Sequence, residues 1–308
     1  MTVTYGDKSF ALQLLRWRGS VWKATYPYIA LWLVLYFVIN FAYRFAFSYE
    51  GQLAFERLVH TFHRWEGTVP LTFLLGFYVN NVVSRWWEQL MAVSWPDKFL
   101  LFIVANMNRE DEETLLIRRT FARYCNLYAA LVWKEISLKI KKRFPTDYHL
   151  VQAGLMTEEE YEIYKNATST HGRWFLPISW MINLLAKCKE EGRISDYATN
   201  TLVDHLYGYR TTAAMLTIYD WISIPLVYTQ VVTVATYGYF IFALIGRQAL
   251  IDRTKAGEPG RTSTDVDIYF PLFTTLELIF YIGWLKVGEE LRCPFGEGDE
   301  DFDMNYVL

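Results

Sequence analysis

The chain has 308 residues, enough for one large domain or two small ones, with a formal net charge of −3 and a pI near 6.0. That balance leaves no polybasic footprint and argues against nucleic acid as a partner. Three scattered cysteines, Cys125, Cys188 and Cys293, argue against both a disulfide framework and a zinc site.

In chain order, residues 1–23 carry Lys8, Arg16, Arg18 and Lys23 and no long apolar core, so no cleavable signal is read there. A bilayer core of about 30 Å requires roughly 20 apolar residues in a helix. Tyr26 to Tyr43 is the first candidate span, with Asn40 its only amide or charged residue. A short loop holding Arg57 and Arg64 leads to the second, Thr68 to Val83, which runs into Trp86 and Trp87.

Residues 86–222 alternate apolar and charged residues at helical spacing. Phe99 to Met107, Leu115 to Ile136, Trp174 to Lys189 and Asp196 to Tyr209 read as helices, with a turn at Arg143-Phe-Pro-Thr146. Thr157-Glu-Glu-Glu160 is a capping box opening a helix through Lys165. The third span, Ser223 to Gly246, has no charged residue. The fourth, Tyr269 to Leu285, contains one acid, Glu277. A carboxylate at membrane depth is costly and marks a functional candidate. A neutral acid hydrogen-bonded to a neighbouring helix is equally open for Glu277. An acidic tail follows.

Four spans make an all-α membrane protein with both termini on one side. The central block carries more than half of the chain's 30 basic residues, and the N-terminus adds four, which places both in the cytosol. Residues 1–25 are then a cytosolic segment, 26–87 hold spans one and two, 88–222 form a cytosolic helical domain, 223–287 hold spans three and four, and 288–308 form a cytosolic acidic segment. The Asn166-Ala-Thr168 sequon is a chance match if cytosolic. No Gly-rich phosphate loop, metal-spaced histidines or Ser/His/Asp constellation occurs, and His60, His63, His149, His171 and His205 are dispersed, so no enzyme is expected.

A series of short motifs runs along the whole chain: Met1-Thr-Val-Thr-Tyr5, Trp17-Arg-Gly-Ser20, Gly76-Phe-Tyr-Val79, Arg85-Trp-Trp87, Ala153-Gly154, Gly192-Arg-Ile194, Tyr219-Asp-Trp-Ile-Ser-Ile-Pro-Leu-Val-Tyr-Thr-Gln230, Gly246-Arg-Gln248, Gly283-Trp-Leu-Lys286 and Pro294-Phe-Gly-Glu297. In this order they resemble the bestrophin family of anion channels. The resemblance implies a homopentamer in the lipid bilayer, with four spans per subunit and a helical cytosolic body. It implies a chloride channel that passes small anions, expected in the plasma membrane.

Val69, Phe73 and Phe77, spaced four apart, match the family's neck, with valine in place of the commoner isoleucine. Five copies would stack three apolar rings that gate by dewetting, with Pro70 and Gly76 loosening the helix between them. A second, cytosolic constriction follows the Gly-Arg-Ile motif at Ala198, with Tyr197 the alternative in an uncertain register. The family's calcium clasp corresponds to carboxylates at 298 and 301 and carbonyls at Glu290 and Cys293. Gly298 cannot supply a carboxylate, so calcium would require Asp299 or Glu297 in its place. A further carbonyl would come from the shortened segment between Tyr5 and Ser9. An alternative function is a non-conducting membrane scaffold acting through the helical body. A transporter is disfavoured, since no inverted-repeat pair of interrupted spans is visible.

Overall fold

The computed structural model describes residues 10–170, 172–251 and 270–308. Lys8, the Tyr5–Ser9 segment, His171, Arg253, Lys255, Arg261 and the expected fourth-span start at Tyr269 lie outside them. The helices in chain order are α1 (Phe10–Gln13), α2 (Val21–Phe41), α3 (Tyr49–Glu66), α4 (Leu71–Met91), α5 (Asp97–Asn106), α6 (Glu112–Ile136), α7 (Leu138–Arg143), α8 (Tyr148–Gln152), α9 (Glu158–Asn166), α10 (Leu176–Glu190), α11 (Asp196–Trp221), α12 (Leu226–Gly246), α13 (Leu272–Glu290) and α14 (Met304–Val307). A π-helical turn, Ala42–Ala46, prolongs α2. The described chain divides into two compact units, residues 10–85 with 224–292 and residues 86–223 with 293–308.

The first unit is built from α2, α4, α12 and α13. The Trp32 indole N–H donates to the Phe240 carbonyl at 3.1 Å, and the Gln248 amide donates to the Tyr36 carbonyl at 3.3 Å. Contacts that advance together in this way make α2 and α12 parallel. Helix α13 runs the other way, since Arg247 reaches Thr274 at 3.3 Å while Tyr239, two turns earlier on α12, meets Tyr281 at 5.8 Å between ring centroids. Helix α4 follows α13, with Thr72 bonded to Tyr281 at 3.1 Å and Tyr78 packed on Gly288. The four helices thus alternate in direction, as an even number of spans requires.

Among the described residues two helical stretches, Val21–Ala46 and Leu226–Gly246, are long and apolar enough to cross a membrane by composition. Their outer faces leave Leu31, Val34, Val38, Val227, Val231 and Val234 exposed. Apolar surface of that extent is unfavourable in water, at about 25 cal/mol per Å². Helices α4 and α13 have similar length but carry Asn80, Asn81, Arg85 and Glu88, and Glu277, Lys286, Glu289 and Glu290.

The stretch between the first two spans, read as a short loop, is largely the helix α3. Ser48 caps it by accepting from the Gly51 amide at 3.3 Å. The backbone of α3 rests directly on α12, since a Cβ at Gly246 would lie 2.8 Å from the His63 nitrogen. That contact gives the glycine of the Gly-Arg-Gln motif a packing role.

The core of the second unit is formed by α5, α6, α10 and α11. The Tyr209 hydroxyl donates to the Cys125 carbonyl at 3.2 Å, and Tyr128 donates to the Arg210 carbonyl at 3.1 Å. The capping box forms as expected: Thr157 accepts from the Glu160 amide at 3.2 Å, and Glu160 accepts from the Thr157 amide at 2.9 Å. Glu160 also accepts from Arg123 and Tyr124, each at 2.7 Å. Helix α11 continues well past Tyr209 to Trp221.

Candidate functional site

Helix α4 presents Phe73 and Phe77 to its surface at 62% and 56% exposure, with ring centroids 4.6 Å apart. Its other face buries Leu71, Leu75, Tyr78, Val79 and Val82. Val69 departs from the expected stripe. It precedes the helix, in the turn after Gly67, and its carbonyl accepts from the Leu71 amide at 2.8 Å. Pro70 therefore stands at the helix start, where its missing N–H costs nothing. Gly76 faces Trp284 inside a continuous helix. Pro70 therefore does not interrupt α4 as the sequence reading expected, whereas Gly76 does lie inside it.

An ionic cluster lies beside this turn. Arg247 Nη1 is 2.6 Å from Glu277 Oε2, and Nε is 2.8 Å from Glu66 Oε1. Nη2 donates to the Tyr239 hydroxyl at 2.9 Å, which itself donates to Glu277 at 3.0 Å. His63 Nδ1 is 3.2 Å from the second Glu66 oxygen. The lone acid of the fourth span is thus one half of an ion pair. A cavity of about 500 Å³ opens between this cluster and Val69, Pro70 and Phe73. Sequence reasoning noted Arg247 and Glu277 separately and missed Glu66, for no local pattern links them.

In the second unit, Arg193 is gripped by Asp111 at 3.0 Å, by Glu191 at 2.6 Å and by Glu113. Bonds from Thr114, opposed by burial and helped by Arg193, hold the Asp111 carboxyl down at about 2. This clamp fixes the turn before α11, which Ser195 caps by accepting from the Ala198 amide at 3.3 Å. At the start of α11, Ala198 is 1% exposed and packs in the core, while Tyr197 is 81% exposed. Exposure on the single subunit favours Tyr197, the alternative of the sequence reading, over Ala198 as the side chain presented to an aperture.

The acidic tail closes on itself. The Phe302 amide donates to the Pro294 carbonyl at 2.7 Å, and the Gly298 amide donates to the Asp301 carboxylate. A Cβ on Gly298 would meet Asp301 Oδ2 at 2.9 Å, and one on Gly296 would meet it at 2.7 Å. Both glycines make room for that carboxylate. Burial pushes the Asp301 acid up, against the Gly298 amide and the charge of Lys139. Glu297 is paired with Lys142 on the exposed surface. Glu290 ends α13 in the first unit, whereas Cys293, Asp299 and Asp301 belong to the second. Among the described residues no group of three or more His, Cys, Asp or Glu side chains is placed to hold a metal. Asp301 is a buried carboxylate that accepts from the Gly298 amide, the kind of hard oxygen donor a calcium ion takes.

The family model described as bestrophin, RFP-TM, chloride channel matches residues 1–308. Bestrophin homolog 14 of Caenorhabditis elegans is 44% identical across the whole chain, which covers 74% of that protein. Human Bestrophin-1 is 42% identical, again across the whole chain, which spans about half of it at 53%. A point-mutated bacterial bestrophin homologue from Klebsiella pneumoniae superposes with a TM-score of 0.66 over 91% of this chain and 92% of its own, at 16% identity, a likeness of fold. The chain is an all-α integral membrane protein belonging to the bestrophin family.

Proposed function

We propose that the protein is an anion channel, conducting chloride and similar monovalent anions through a pore at the axis of five copies, with α4 facing that axis. The observation that carries this reading is the exposed Phe73–Phe77 pair on a span helix whose other face is packed, in a bestrophin-family chain. Two apolar rings, approached through Val69, form a constriction that dewets when narrow and conducts when dilated. The edge of a phenyl ring is electropositive and its face negative. Edges turned to the axis favour weakly hydrated anions over chloride. Tyr197 lines a second, cytosolic narrowing. The membrane is the plasma membrane, with both termini cytosolic.

Calcium binds the tail through the Asp301 carboxylate and the Cys293 carbonyl, with Asp299 supplying the second acid in place of residue 298. Calcium takes six to eight oxygens, so water and backbone complete the set. The ion would supply a fixed positive charge that holds the segment closed around Asp301.

Patch recording of Phe77→Ala tests the neck. Removal of one ring widens the constriction, and open probability rises. Gating equal to that of the unaltered protein would sink the neck reading.

A further inference from the structure

The exposed face of α4 changes character immediately past the phenylalanines. Asn80 lies one heptad beyond Phe73, and Ser84 one heptad beyond Phe77, and both are exposed. A 3.5-residue period keeps such positions on one seam of a helix packed in a bundle. The intervening Tyr78, Val79 and Val82 are buried within the subunit. Asn81, the other exposed amide here, is engaged within the subunit: its Nδ2 donates to the Tyr228 hydroxyl of α12 at 3.2 Å. The two adjacent asparagines therefore have different roles, one tying α4 to α12 and one on the seam of Phe73.

We infer that Asn80 is the residue that receives the anion as it leaves the apolar neck, and so sets the channel's preference among anions. This rests on the pore reading above. An anion crossing two rings of phenylalanine sheds part of its hydration shell and finds no hydrogen-bond donor there. Each Asn80 carboxamide offers two N–H donors and no charge. Five copies make the first ring of donors below the constriction, about one helical turn from Phe77. Neutral amides replace lost water without trapping the ion, as conduction requires. Strongly hydrated anions such as chloride lose most on dehydration and depend most on this ring. Weakly hydrated thiocyanate depends on it least.

Chloride and thiocyanate currents through the full chain in planar bilayers test this, with Asn80→Leu, Asn80→Gln, Asn80→Asp and Phe77→Ala compared. Asn80→Leu is expected to lower unitary chloride conductance about fivefold, the weight of one hydrogen bond, and to raise thiocyanate permeability relative to chloride. Asn80→Gln keeps the donors and keeps the wild-type ratio. Asn80→Asp, nearly isosteric, puts five carboxylates on the axis and shifts the reversal potential away from that of chloride, which serves if the leucine variant does not assemble. Wild-type conductance and permeability ratio in the leucine or aspartate variant would overturn the inference. If Phe77→Ala alters the current while these variants do not, the ring fails and the pore reading stands. If neither site alters it, the pore reading fails and the ring with it.

Discussion

The guanidinium of Arg247 lies 2.6 Å from the Glu277 carboxylate and joins the end of the third span to the fourth. The same group holds Glu66, only 5% exposed at its side chain, at the end of α3. Removing the cation leaves two acids facing each other, one of them buried. Breaking a buried pair costs about 3–5 kcal/mol, and the 38% exposure of Glu277 reduces that here. Arg247→Gln should therefore lower the unfolding temperature in detergent well below that of Glu277→Gln, in which Tyr239 and Arg247 keep a hydrogen-bonding partner. Equal losses would show that Glu66 contributes nothing to the cluster.

The pair of Tyr197 and Ala198 separates lining from packing. Tyrosine at the buried position 198 overpacks the core and should cost about 1–3 kcal/mol. Tyr197→Ala alters an exposed site, should leave stability within about 0.5 kcal/mol, and should change the relative permeability of anions. Selectivity that responds only to substitutions at 198 would return the aperture to Ala198.

Glu160 gives the second unit an acid limit. Burial pushes its carboxyl up, but bonds from Arg123, the Thr157 amide and Tyr124 prevail and hold it at about 2. A depressed folded value means stability that is present above the ordinary carboxylate range and lost as pH falls from about 4.5 toward 2. Thermal unfolding followed from pH 5 to pH 2 should show a smaller loss in Glu160→Gln than in the unaltered protein, from a lower starting point.

Asp301 has the opposite sign. Burial raises its carboxyl, so the metal-free charged form is a burden that grows as pH rises past the ordinary carboxylate range. Asp301→Asn should raise the unfolding temperature in chelator at pH 7 and abolish the further rise that calcium gives the unaltered protein. A calcium-induced rise that survives the substitution would remove Asp301 from the ligand set.

What the sequence made legible was mostly local. Charge-free runs announce spans, and Thr157 with Glu160 announces a helix start three residues apart. Helix α3 was missed because its apolar residues are interleaved with Glu50, Gln52, Glu56, Arg57, His60 and Arg64, and its burial depends on Gly246, far along the chain. Val69 was assigned to a helical stripe by spacing alone, though Pro70 starts the helix after it. The aperture turned on a one-residue register, and on a helix one residue turns a side chain by about 100°, from solvent into core. The partnership of Glu66, Arg247 and Glu277 joins three helices and has no signature in any one of them.

Unitary current is the most direct test of the central claim. Purified protein fused into a planar bilayer under a KCl gradient should give discrete steps that reverse near the chloride equilibrium potential. An absence of steps after confirmed insertion, or reversal near the potassium potential, would contradict an anion pore lined by Phe73 and Phe77.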